Sequence, residues 1–183
     1  TLGSVFHDTS LPELSMLKPP FEDETLLQVS PKGNILREIS FQKLLFDSKM
    51  EGLLLPNVRY WMPASWEDLP HLNDVEVLQS KDAGAFPMFQ AGDVLVSARN
   101  PNLVLIFNPD TFQIKWHQTG PWLRQHDPDF RQDGTISVFN NRMGLTRKGP
   151  IFGASSIMVI DPVSHQTRIV YEGNASHPFF SNE

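Results

Sequence analysis

Three side chains in this sequence are of types, and in settings, that could move a proton or hold an oxyanion. His71 stands in Pro70-His71-Leu72-Asn73-Asp74-Val75, His126 in Gln125-His126-Asp127-Pro128-Asp129-Phe130, and Arg142 closes Phe139-Asn140-Asn141-Arg142. A neutral imidazole can carry a proton near physiological pH. A guanidinium offers paired donors that grip a planar or tetrahedral oxyanion. His and Arg around one cavity therefore suit a sulfuryl or phosphoryl group. Asn140 beside Arg142, and Arg99-Asn100 closing the equivalent earlier strand, would add donors for the same group. Each residue also has a plainer reading. His71 can cap a surface turn with Asn73 and Asp74, Trp122 and His126 can pack an edge, and Arg142 can sit in a surface ion pair.

Other chemistries find no support. The chain has no cysteine, which removes disulfide frameworks, thiol nucleophiles and thiolate zinc sites together. His7, His117, His165 and His177 show no helical ligand spacing with one another, so no metal and no cofactor is expected. There is no G-x-G-x-x-G, P-loop, G-x-S-x-G or H-E-x-x-H string. With 15 Lys+Arg against 21 Asp+Glu the net charge is −6, and no basic block exists to bind nucleic acid. The longest unbroken apolar run, Leu103 to Phe107, is five residues, far short of the roughly 20 that a membrane helix requires. Asn174-Ala175-Ser176 matches a glycosylation acceptor and carries little weight alone.

The elements that must position these residues are short strands. Fifteen prolines and eleven glycines are scattered among brief apolar runs: Leu26–Val29, Asn34–Ile39, Val94–Ala98, Leu103–Phe107, Ile114–Trp116, Ile136–Phe139, Ile157–Ile160 and Arg168–Tyr171. Turns with a mechanism separate them, among them Pro31-Lys32-Gly33-Asn34, Asn108-Pro109-Asp110 and Gln132-Asp133-Gly134. One helix is expected where Phe41, Leu44, Leu45 and Leu53 share a helical period, ending at Gly52. A short helical turn is expected from Ser65, with Glu67 and Asp68 in its first turn.

An internal repeat organises the strands. Gly92 opens strand, strand, Asn108-Pro109 turn and an aromatic strand; Gly134 opens the same order, with Asp161-Pro162 at the turn. The offset of 134 − 92 = 42 residues is the size of one four-stranded propeller blade. The reading is an all-β chain, a β-propeller of four-stranded blades with a helical insertion. At roughly 40–50 residues a blade, about three to four blades fit, so the chain reads as part of a longer protein. Its segments are 1–69, an N-terminal blade portion with the helix, then a blade over 70–120 and another over 121–183. In this arrangement His71 and His126 take matching places in adjacent blades. Open blade edges invite association, so homo-oligomers are an open outcome.

From about Pro70 to Gly173 the chain resembles the arylsulfotransferase family of β-propellers. The resemblance lies in His71-Leu72-Asn73-Asp74-Val75, Gly92 to Asn100, Trp116-His117-Gln118-Thr119-Gly120, Gln125 to Phe130 and Ile136 to Arg142. It implies a six-bladed propeller that moves a sulfuryl group from a phenolic sulfate ester to another phenol, without a nucleotide donor, through a sulfohistidine. By that pattern His71 assists proton transfer, while His126 and Arg142 bind and polarise the sulfuryl oxygens. The family's nucleophilic His belongs to a later blade, and neither His165 nor His177 stands in its context. Family analogy places such a protein in the periplasm or outside the cell. The rival reading is a non-catalytic propeller that binds a small anion or a partner protein with the same cavity.

Overall fold

A computed structural model describes residues 1–54, 69–146, 149–152, 155–174, 176, 177 and 179. The helical turn expected from Ser65 lies outside them. The chain divides into two compact units, Thr1–Leu72 and Asn73–Glu183.

In the first unit, β1 (Leu2–His7), β2 (Phe21–Val29) and β3 (Ile35–Ser40) form an antiparallel sheet in chain order. The β2–β3 turn closes with the Gly33 N–H on the Ser30 carbonyl, and Gly33 takes a φ of 83° that its missing Cβ permits. Helix α1 (Phe41–Asp47) starts where Ser40 Oγ accepts the Lys43 N–H at 2.9 Å, satisfying a donor that the first turn leaves open. Phe41, Leu44 and Leu45 are buried, while Gln42 turns its amide onto β2, accepting from Glu24 N–H and donating to the Glu22 carbonyl.

The helix stops before Gly52. Lys49, at φ 57°, takes the left-handed cap, with Lys49 N–H on Phe46 O and Met50 N–H on Leu45 O. Gly52 falls instead in a separate 3-10 turn, Glu51–Leu53.

The second unit carries two antiparallel four-stranded meanders. The first runs β4 (Leu72–Val77), β5 (Val94–Ala98), β6 (Leu103–Phe107) and β7 (Ile114–Thr119). The second runs β8 (His126–Phe130), β9 (Ile136–Asn140), β12 (Ser156–Ile160) and β13 (Thr167–Glu172). A two-stranded hairpin, β10 (Met143–Thr146) and β11 (Gly149–Phe152), is inserted between β9 and β12.

The meanders bury one face each against the other. Leu95, Val104, Ile106 and Trp116 meet Ile136, Val138, Met158 and Ile160, with Leu78, Phe86, Phe89 and Trp122 completing the core. Each such side chain is worth about 1.5–3 kcal/mol of burial. The repeat extends to the turns. Asn108 Oδ1 accepts the Asp110 and Thr111 N–H groups, and Asp161 Oδ1 accepts those of Val163 and Ser164. Phe112 and His165 then sit at the same left-handed φ, 58°.

Among the described residues the architecture is mainly antiparallel β, with sheets of three, four and four strands, the two-stranded hairpin and one α-helix. Among the described residues no sheet closes on itself, and no helix is long and apolar enough to cross a membrane.

Candidate functional site

Two connections at the same end of the two meanders carry most of the candidate residues. The β5–β6 connection holds Arg99 and Asn100, and the chain leaving β9 holds Asn141 and Arg142. The 42-residue offset makes Asn100 the counterpart of Arg142 and Arg99 that of Asn141. Between them runs the segment 120–126, which leaves β7 and enters β8 at His126.

That segment is hydrogen-bonded to both connections. On the β5–β6 side, Asn102 accepts three of its donors: Arg124 N–H on Oδ1 at 2.7 Å, and Trp122 Nε1–H and Gly120 N–H on its carbonyl at 2.8 and 3.2 Å. On the β9 side, Leu123 N–H donates to Asn140 Oδ1 at 2.9 Å, and Arg142 N–H donates to both Asn140 Oδ1 and the Leu123 carbonyl, at 3.0 and 3.1 Å.

Asn140 is buried, and its amide is occupied within the protein. Besides those two N–H groups, its Nδ2 donates to Ser156 Oγ and meets Met158 Sδ. It therefore shapes the Arg142 backbone rather than presenting donors outward. Arg142 is exposed, held at a left-handed φ of 51°, and its guanidinium makes no ion pair among the described residues. Arg99, Asn100 and His126 are half-buried. Asn140 and the Arg142 backbone are thus bonded to the segment that leads into His126, and the connection that carries Arg99 and Asn100 is bonded to the same segment through Asn102.

His71 belongs to the first unit. It is half-buried at φ 50°, and the following Leu72 N–H donates to Glu24 Oε1 at 2.9 Å. The expected equivalence of His71 and His126 is corrected by the turns. Leu78 N–H closes β4–β5 on Asp93 O, and Arg131 N–H closes β8–β9 on Thr135 O. That pairs positions 131 − 78 = 53 residues apart at the turns, whereas the two histidines are 126 − 71 = 55 residues apart, and the β8–β9 register shifts again between His126 and Asp129. His71 and Arg124 share the left-handed conformation, at 50° and 53°. His71 stands 92 − 71 = 21 residues ahead of its glycine turn and His126 stands 134 − 126 = 8 ahead of its own. Setting aside the eleven residues Ser80–Gln90 as an insertion removes most of that difference and still leaves the two histidines two positions out of step.

The electrostatic setting is acidic on the first strands of the two meanders. Asp74 is pushed up to about 6, first by burial and then by Asp127, with smaller contributions from Asp129 and Glu76. Burial likewise raises Glu76 and Asp129. Glu76 accepts the Phe130 N–H at 2.8 Å, tying β4 to β8. Among the described residues no group of three His, Cys, Asp or Glu is placed to hold a metal ion.

Sequence reasoning passed over Asn102 and Gln125. Asn102 left a signal, since asparagine tolerates the left-handed φ of 53° found there. Gln125, wholly buried at the entry to β8, left none.

A family model described as arylsulfotransferase (ASST) matches residues 8–183. No curated protein and no solved structure matches the chain.

Proposed function

The chain belongs to the arylsulfotransferase family, and from that membership we propose that it is part of a six-bladed β-propeller that transfers a sulfuryl group between phenols. The two meanders stand as two of its blades, spanning 70–120 and 121–183, and the 1–69 segment contributes to a third. The observation that carries the reading is the shared frame. Arg142 and the segment leading into His126 are hydrogen-bonded to each other at one end of the second unit.

In the forward half-reaction a histidine nitrogen, from a part of the protein outside this chain, attacks sulfur. The sulfur–oxygen bond of the aryl sulfate breaks, the sulfur–nitrogen bond of a sulfohistidine forms, and the phenolate leaves with the bonding pair. In the second half-reaction an acceptor phenol gives up its proton, its oxygen bonds the sulfur, and the sulfur–nitrogen bond breaks with its electron pair returning to the histidine nitrogen. His126 and Arg142 hold the three sulfuryl oxygens and offset the charge that builds on them, with Arg99 and Asn100 as further donors. Asn140 sets the Arg142 backbone. His71 moves the phenolic proton, a role that rests on the family pattern alone. No nucleotide, metal or other cofactor takes part in this scheme.

The test is release of a chromophore from a chromogenic aryl sulfate by the full-length protein, with phenol as acceptor, beside His126→Ala. The expected result is a burst of chromophore followed by turnover, reduced by about 10²–10⁴-fold in the variant. No turnover by a folded full-length protein across a panel of aryl sulfates would contradict the enzyme and leave a propeller that binds small anions.

A further inference from the structure

We propose that Gln125 is a positioning residue that fixes His126 relative to the Arg99–Asn102 connection; the proposal rests on the role assigned to His126 above. Gln125 is fully buried and immediately precedes His126. Its Nε2 donates to Ser97 Oγ at 3.0 Å and to the Ala98 and Leu103 carbonyls at 3.1 Å each. Ala98 and Leu103 are the last residue of β5 and the first of β6, so they bracket the connection that carries Arg99 and Asn100. The backbone carbonyl of Gln125 also accepts Asn73 Nδ2–H at 2.7 Å. One residue therefore joins β4, the end of β5 and the start of β6 to the first position of β8.

The other half of the amide argues against a packing role. Gln125 Oε1 is buried with no hydrogen-bond partner among the described residues. An unpaired buried acceptor is unfavourable, and an apolar side chain of the same length would avoid it. Glutamine fits this place because two N–H groups on one nitrogen reach three acceptors on two strands, which neither methionine nor leucine can do. The bonds also define a distance. They set how far the His126 backbone stands from Arg99 and Asn100, the spacing on which a tetrahedral sulfuryl group would depend.

The experiment compares the full-length protein with Gln125→Met, which keeps length and removes the donors, and with Ser97→Ala, which removes one acceptor. Three readouts are taken: thermal midpoint, imidazole nitrogen NMR signals of the histidines through a pH titration, and transfer kinetics. Folded Gln125→Met is expected to shift and broaden the His126 signals while leaving those of His165 in place. Its kcat falls about 10²-fold with KM changed by less than about threefold. Ser97→Ala shows the same changes, smaller, and decides the matter alone if Gln125→Met does not fold. His126 signals that stay unmoved in the folded variants overturn the proposal. Because the NMR readout needs no turnover, it decides this point even if the full-length protein transfers no sulfuryl group, an outcome that would instead contradict the enzyme.

Discussion

The two meanders of the second unit share a plan and differ at both ends, and the differences separate what holds the fold from what could act on a substrate. At the turn end of the first meander, buried Asp93 accepts from Lys115 Nζ at 2.7 Å, from Asn108 Nδ2 at 3.2 Å and from the Gln90 N–H at 2.8 Å. The equivalent positions of the second meander are Thr135 and an exposed Arg168, with no such pair. At the opposite end the contrast reverses. Four residues, 99–102, join β5 to β6, whereas fifteen, 141–155, join β9 to β12 and include the β10–β11 hairpin. The eleven-residue surplus equals the change of repeat offset from 42 at the glycine turns to 53 at the Asn/Asp-Pro turns. One meander is locked at its base, and the other is elaborated at the end where His126 and Arg142 stand.

The largest effect should come from removing the lock. Asp93→Ala strands the mostly buried Lys115 ammonium and is expected to cost about 3–5 kcal/mol, whereas Thr135→Ala, its counterpart, should cost less than about 1 kcal/mol. Urea titration of both variants reads the difference; equal losses would break the comparison.

A second test uses the acidic strands. Folding raises Asp74 from 3.8 to about 6, so between those values the native state holds more protons than the unfolded chain. The native carboxylate is therefore disfavoured, and stability falls as pH climbs through about 6. Asp74→Asn should gain about 1 kcal/mol at pH 7.5, after allowance for the solvent screening of a half-exposed group. It should also flatten the stability profile between pH 4 and 6, measured by denaturant titration at each pH. A variant that loses stability at pH 7.5 would show that hydrogen bonding by the carboxylate outweighs its burial.

The smallest effect belongs to the first unit. Lys49→Gly should stabilise by about 0.5–1 kcal/mol, because glycine takes the left-handed cap without a Cβ penalty. A higher thermal midpoint checks it.

These contrasts also explain what the sequence could tell. All eight strands read from apolar runs are present, because alternation and turn residues are local signals. β8 escaped because His126-Asp127-Pro128-Asp129-Phe130 has no apolar alternation; it is held in place by β9 and by the bond from Phe130 N–H to Glu76. The helix end was misplaced because a left-handed lysine at 49 has no compositional mark, whereas Gly52 does. Family membership was legible because several weak motifs agree along the chain. The neighbours of the candidate residues were not, since most of the hydrogen bonds through which Asn102, Gln125 and Asn140 act join residues 16 to 52 positions apart. No periodicity encodes such bonds.

The comparison of the two meanders is tested most directly at its two equivalent positions. Transfer from a chromogenic aryl sulfate to phenol is measured for the full-length protein with Arg142→Ala and, separately, with Asn100→Ala. If the elaborated end of the second meander handles the sulfuryl group, Arg142→Ala lowers kcat/KM by about 10²–10³-fold and Asn100→Ala by less than about tenfold. Equal losses, or a larger loss at Asn100, would contradict the account.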